Sequence, residues 1–282
     1  MINFCKFHGF GNDYIVIEKQ LIPEDVSVSD LACAICHRHT GAGADGIAVI
    51  EKLDAGDADY FCDIVNPDGS IAGFSGNGTR CAVSYLYYKK LWSEKNLNLG
   101  VRSGVKRYEL VEEIAEGHYI FKAEIGKPRF GSDEVPVKTD LPQDTVVDHK
   151  LMLGDVPYAV SAVNVGNPAA CIFVDDFDFD WRDVGRELEV HQAFPERANI
   201  VFVKVIDRGN IELRIWERGA GETSASGTCA SAAAVLSAFT GRTERKVSVH
   251  SPGGTTEIEW RDDNEILITG RADLSYCGEW PV

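Results

Sequence analysis

The chain has 282 residues, a formal net charge of −16 and an apolar fraction of 44%, which suits an ordinary soluble globular protein of about two domains. Its acidity argues against nucleic acid and anionic lipid as partners, because both need clustered Lys and Arg. No basic-then-apolar leader and no run near the roughly 18 apolar residues of a membrane span is visible, and the eight cysteines are scattered, so reduced thiols in the cytoplasm are expected.

In chain order, Gly11-Asn12 opens a strand signal, Asp13-Tyr14-Ile15-Val16-Ile17. Next comes Cys33-Ala34-Ile35-Cys36-His37, which matches a haem-attachment pattern and, with His39, hints at a metal. Such attachment requires export, and zinc needs a second ligand pair that is missing, so no metal site is expected. The segment is predicted instead as an amphipathic helix over 29–39, with Leu31, Ile35 and Cys36 facing inward. Gly41-Ala42-Gly43-Ala44-Asp45-Gly46 reads as a loop entering the strand Ile47-Ala48-Val49-Ile50. A further strand covers 60–66, and Ser75-Gly76-Asn77-Gly78 leads into an apolar helix over 79–91. The polar segment 112–117 is the expected crossing to a second domain.

The second half repeats the first. Gly166-Asn167 precedes the apolar run 168–174, and Asn12 and Asn167 stand 155 positions apart. A strand over 211–217 answers 60–66, and Ser226-Gly227-Thr228 answers Ser75-Gly76-Asn77, each 151 positions on. A helix over 228–239 follows, nearly all Ala, Val, Leu and Ser. A strand-like piece at 265–268 is expected to lead the tail back onto the first domain. Repetition at half the chain length, with a helix apolar on every side in each copy, predicts an α+β architecture of two pseudo-symmetric domains, 1–118 plus 270–282 and 119–269. Each is expected to be a curled, mainly antiparallel sheet around one central helix.

The two glycine turns sit directly before helices, where free N–H groups and partial positive charge suit an anion. Plain capping by Ser or Asn explains either turn alone. Two related turns facing one another across a pseudo-twofold cleft favour an anion site. A nucleotide is not expected, because neither turn has the P-loop ending and no G-x-G-x-x-G follows a strand in a βαβ unit.

Several motifs together resemble the diaminopimelate epimerase family. They are Phe7-His8-Gly9-Phe10-Gly11-Asn12-Asp13-Tyr14, Gly43-Ala44-Asp45-Gly46, Asn66-Pro67-Asp68-Gly69, Gly76-Asn77-Gly78-Thr79-Arg80-Cys81, Gly166-Asn167-Pro168 and Glu217-Arg218-Gly219-Ala220-Gly221-Glu222-Thr223. The resemblance implies a cytoplasmic, cofactor-independent and often homodimeric amino-acid epimerase of lysine and cell-wall precursor synthesis. It implies a small amino-acid substrate with a distal carboxylate. It also implies a thiolate and a thiol as the proton-transfer pair, each at a helix N-terminus. Here Ser75 and Ser226 stand at those two positions, Ala169 stands where the family has a base-assisting His, and Gly46 where many relatives have Gln.

The binding positions carried over by motif are Asn12, Asn66, Gly76, Asn77, Asn167, Asn199, Glu217, Arg218, Gly227 and Thr228. Arg218 suits a distal carboxylate through two parallel hydrogen bonds, and the Asn amides suit an amino-acid head group. The catalytic candidates are Ser75, Ser226 and Glu217. A serine hydroxyl is far less acidic than a thiol and needs a neighbouring base, so epimerisation by this pair is expected to be impaired or altered. Cys229 and Cys81, near the two serines in sequence, are expected to point into packing. Two alternatives stay open: a same-fold isomerase or lyase with Glu217 or Asp45 as a lone carboxylate base, and a non-catalytic amino-acid binding protein or regulatory subunit.

Overall fold

A computed structural model describes residues 1–135 and 137–281. The chain divides into two compact units, Met1–Glu124 with Thr269–Val282, and Ile125–Ile268.

The first unit carries β1 (Ile2–Gly9), β2 (Asn12–Glu18), α1 (Val28–Ile35), β3 (Gly46–Lys52), β4 (Tyr60–Val65), β5 (Ile71–Ala72), α2 (Gly76–Tyr88), β6 (Asn96–Val101) and β7 (Gly104–Ala115). β8 (His118–Gly126) begins in this unit and ends in the other. β1 and β2 form a hairpin, β2 runs parallel to β3 across α1, β3 and β4 are antiparallel, and β4 runs parallel to β6 across α2. β6, β7 and β8 continue as antiparallel neighbours. Interior strands such as β2 are buried at five successive positions, as strands covered on both faces require. α2 is buried from Asn77 to Leu86 and packs on β1, β2, β3 and β4.

The second unit holds β9 (Val146–Leu153), β10 (Val156–Asn164), β11 (Pro168–Phe173), α3 (Trp181–Glu189), β12 (Asn199–Asp207), β13 (Asn210–Glu217), β14 (Gly221–Thr223), α4 (Gly227–Phe239), β15 (Lys246–Ser251) and β16 (Gly254–Trp260). Its internal order repeats the first. β10 and β11 are antiparallel, β11 and β12 parallel across α3, β12 and β13 antiparallel, and β13 and β15 parallel across α4. α4 is buried from Cys229 to Ser237 among β10, β11, β12, β13, β15 and β16. Its small side chains let strands approach closely. Its buried hydroxyls return to their own helix, Ser231 Oγ to Gly227 O (2.8 Å) and Ser237 Oγ to Ala233 O (2.7 Å), so burial leaves neither unpaired. The α+β class with one central helix per unit is as the sequence predicts.

Four expectations need correction. α1 ends at Ile35 rather than 39, because Cys36 closes it and a turn follows in which His37 Nδ1 accepts the Thr40 N–H at 3.1 Å. α2 begins at Gly76 and ends at Tyr88, three residues earlier at both ends than predicted, since the Ser75 side chain caps its first turn. The polar segment 112–117 is not a crossing but the end of β7 and its turn into β8; the units divide at Glu124 instead. The last strand, β17 (Ile266–Trp280), runs from the second unit into the first and pairs antiparallel with β1. That register sets Cys5 opposite Cys277, and the two form a disulfide, so these cysteines are not the free thiols expected. A separation of 272 residues hid the pair from any local pattern.

Candidate active site

In the first unit the β1–β2 turn passes through Phe10 and Gly11, both with positive φ (57° and 87°), the twist a two-residue antiparallel loop needs. It leaves Asn12 as the first residue of β2. A chain of side-chain hydrogen bonds starts from the buried Arg80. Arg80 Nη1 donates to Asn77 Oδ1 (3.0 Å), Asn77 Nδ2 to Asn12 Oδ1 (3.1 Å), and Asn12 Nδ2 to Asp45 Oδ2 (2.7 Å). A guanidinium only donates and a carboxylate only accepts, so the two ends fix both amide orientations. The chain uses one hydrogen of each amide nitrogen and leaves the other for an acceptor. Gly9 and Gly270 provide the room: a Cβ there would lie 2.9 Å from Asn77 Oδ1 and 2.8 Å from Arg80 Nη1 respectively.

Asp45 anchors this chain through further bonds of its own. Its Oδ2 also accepts the Asp13 N–H (3.0 Å), and its Oδ1 pairs with Arg38 Nη2 (2.6 Å). Asp13 is held by Arg38 (2.9 Å) and Lys6 (2.7 Å). Burial works against its charge, but the bonds from Arg38 and Lys6 outweigh it and hold the carboxyl at about 2 against an ordinary 3.8. A depressed carboxyl pKa means that the unfolded chain binds the proton more readily, so this stability is present above pH 3.8 and lost as pH falls toward 2. Urea melts of Asp13→Asn at pH 7 should show a loss of about 2 kcal/mol that shrinks as both proteins are moved through that window. Equal stabilities at pH 7 would mean that the ion pairs contribute nothing net.

Ser75 is the N-cap of α2, with its Oγ accepting the Gly78 N–H at 3.1 Å. The Tyr14 hydroxyl lies 2.9 Å from the same oxygen. Asn66 serves its own turn: its Nδ2 donates to Ser70 Oγ (2.9 Å), and its backbone N–H to Ser70 O (2.8 Å). Gly76 lies in the open first turn, where an added Cβ would meet only Phe74, at 4.0 Å. Cys81 is fully buried, and burial pushes its thiol up to about 12, so it packs as expected.

The second unit treats its serine differently. Ser226 precedes α4 but makes no capping bond. Its hydroxyl lies beside the Glu217 carboxyl at the end of β13 and 3.5 Å from Thr228 Oγ1. Burial raises the Glu217 pKa, and the bonds from Ser226 and Cys229 offset this only partly. Cys229 is buried, yet its Sγ lies 3.9 Å from Glu217 Oε1, so it touches the site as well as the packing. Its thiol is pushed well above the ordinary value by that burial and by the neighbouring carboxylate. Ala169 is a buried strand residue paired with Asn199 across β11 and β12 and brings no base. Gly227 stands at the first turn of α4, where a Cβ would lie 3.2 Å from Ile268.

The Glu217-Arg218-Gly219 turn is braced from below. Asn199 Nδ2 donates to Pro168 O (2.8 Å) and its Oδ1 accepts the Arg218 N–H (3.0 Å). Glu189 accepts the Gly219 N–H and the Trp216 indole, both at 2.9 Å. The Arg218 guanidinium is directed by Glu196 O (2.9 Å) and Asn167 Oδ1 (3.4 Å), which leaves hydrogens over for a carboxylate. Within the second unit Asn167, Asn199, Glu217, Arg218, Ser226 and Thr228 are thus linked, as Asn12, Asn77 and Ser75 are grouped with Asp45, Arg80 and Tyr14 in the first.

The profile of the diaminopimelate epimerase family matches residues 4–130 and 161–275. The chain belongs to the diaminopimelate epimerase family. It is 39% identical over 279 residues to the diaminopimelate epimerase of Caldanaerobacter subterraneus subsp. tengcongensis, covering 99% of both chains. It is 38% identical over 285 residues to that of Pelotomaculum thermopropionicum, again with 99% of both covered. Among solved structures, a probable proline racemase from Agrobacterium radiobacter superposes with a TM-score of 0.71 at 14% identity, covering 100% of this chain and 93% of the other, a likeness of fold. The family is one of epimerases, so the chain is of the isomerase class.

The sequence missed Tyr14, Arg80, Arg38 and Glu189 as parts of the site. Arg80 and Tyr14 lie inside the quoted motifs, and an arginine in a helix apolar on every side was a legible signal, because a buried guanidinium demands acceptors. Glu189 carried no such mark: it closes an amphipathic helix whose other charges face solvent.

Proposed function

We propose that this chain is a cofactor-independent epimerase of diaminopimelate in which a carboxylate, Glu217, replaces a thiolate as base. The observation that carries this reading is the Glu217 carboxyl, with its raised pKa, beside the Ser226 hydroxyl at the α4 N-terminus. Burial raises the Glu217 pKa and so makes its carboxylate a stronger base than an exposed one, whereas a serine hydroxyl needs a neighbouring base. Arg218 and Asn167 fit the distal carboxylate, and the spare amide hydrogens of Asn12 and Asn77 fit an amino-acid head group. Gly76, Gly227 and Thr228 present the two helix starts, while Asn66 and Asn199 hold turns in shape. A role in lysine and cell-wall precursor synthesis, a cytoplasmic location and a homodimer belong to the same reading.

The test is deuterium uptake at Cα when LL- and meso-diaminopimelate are incubated with the protein in D2O. Interconversion with solvent deuterium in the product is expected. Tight binding in calorimetry with neither turnover nor exchange would replace this reading with that of an amino-acid binding protein.

A further inference from the structure

The Tyr14 phenol has no part in the reading above, yet its placement is built with care. Tyr14 is 6% exposed, and its Oη stands 2.9 Å from Ser75 Oγ. The edge of its ring occupies a slot that two missing side chains create. A Cβ on Gly46 would come within 2.8 Å of Tyr14 Cε1, and one on Gly78 within 2.9 Å of the same atom. Gly46 is therefore more than an absent amide, because it makes room for the aromatic ring.

The hydrogen-bond inventory sets the direction. A serine hydroxyl has two acceptor positions and one hydrogen. Ser75 Oγ already accepts the Gly78 N–H. A phenol, with a pKa near 10, is far more acidic than an alkyl hydroxyl, so the phenol donates and Ser75 accepts. Both acceptor positions of Ser75 are then filled, and its own hydrogen is directed elsewhere.

We propose that Tyr14 and Ser75 form a proton-transfer dyad, in which Ser75 hands its hydrogen to the substrate Cα and Tyr14 resupplies it. This rests on the epimerase reading. The carbanion electron pair takes the Ser75 proton and a C–H bond forms. Ser75 Oγ takes the Tyr14 proton in the same motion, and the phenol is left as phenolate. No electrons change hands and no co-reactant is needed. In the reverse direction the phenolate draws the proton back along the same path. The positive end of α2 favours the negative charge that this transfer leaves on the dyad.

The experiment compares wild type, Tyr14→Phe and the double variant Tyr14→Phe/Ser75→Cys with both diaminopimelate isomers, circular dichroism and thermal melts establishing that each is folded. Phe keeps the ring in its slot and removes only the hydroxyl. The kcat of Tyr14→Phe should fall at least about 100-fold, with KM changed by less than about threefold, the size of a lost general acid. Adding Ser75→Cys should recover at least about tenfold of this, since a thiol at a helix start transfers a proton unaided. Tyr14→Phe within about threefold of wild type in kcat would overturn the dyad, a general acid being worth far more. So would a loss that the thiol does not relieve, which marks Tyr14 as packing alone. A wild-type chain without turnover overturns the epimerase reading itself, and that is measured before any variant.

Discussion

Glu217→Gln should lower kcat/KM by about 10²–10⁴-fold, the usual worth of a positioned general base. Gln matches the carboxylate in shape and still accepts from Ser226, but it cannot take a proton. KM should barely move, because Arg218 and the Asn amides remain. The wild-type pH profile carries an independent sign. A base must be ionised, and burial raises the Glu217 pKa above its ordinary 4.5. Activity should therefore rise with pH along an acid limb displaced above that value. Stability runs the other way: a raised carboxyl pKa stabilises the fold below pH 4.5 and ceases to do so as pH climbs past the folded value. At pH 7 the Gln variant should consequently melt at or above the wild-type temperature. A variant that melts lower and keeps its rate would show Glu217 to be a structural group.

Arg218→Met should raise KM for diaminopimelate by about 10–100-fold and leave kcat within a few-fold, because one charge-assisted contact is worth about 1.5–3 kcal/mol. The guanidinium is exposed and takes its aim from Glu196 O and Asn167 Oδ1. Removing it leaves the Glu217 end of the turn in place, since Asn199 holds the Arg218 backbone rather than its side chain. Asn167→Ala should give a smaller rise in KM, through loss of aim alone. An unchanged KM in both variants would take the distal carboxylate away from this arginine.

The doubled architecture was legible because it is written in local patterns. Period-two alternation, two helices apolar on every side and glycine turns at matched spacing all survive without any knowledge of neighbours. The motif set was legible too, and it placed Asn12, Asn77, Asn199, Glu217 and Arg218 on the chain. Boundaries were less so: α2 starts three residues early because Ser75 closes its first turn, a bond that periodicity does not register.

The sequence alone determined the family, the α+β class and the loss of both thiols. It could not say what the two serines had become, and it treated them as equivalent. Tertiary structure made them unlike: Ser75 caps its helix and meets Tyr14, 61 residues away, while Ser226 caps nothing and lies against Glu217. A hydroxyl has almost no chemistry of its own near neutral pH. Its part is set by whichever donor or acceptor the fold brings to within about 3 Å, and distant partners leave no trace in a local pattern.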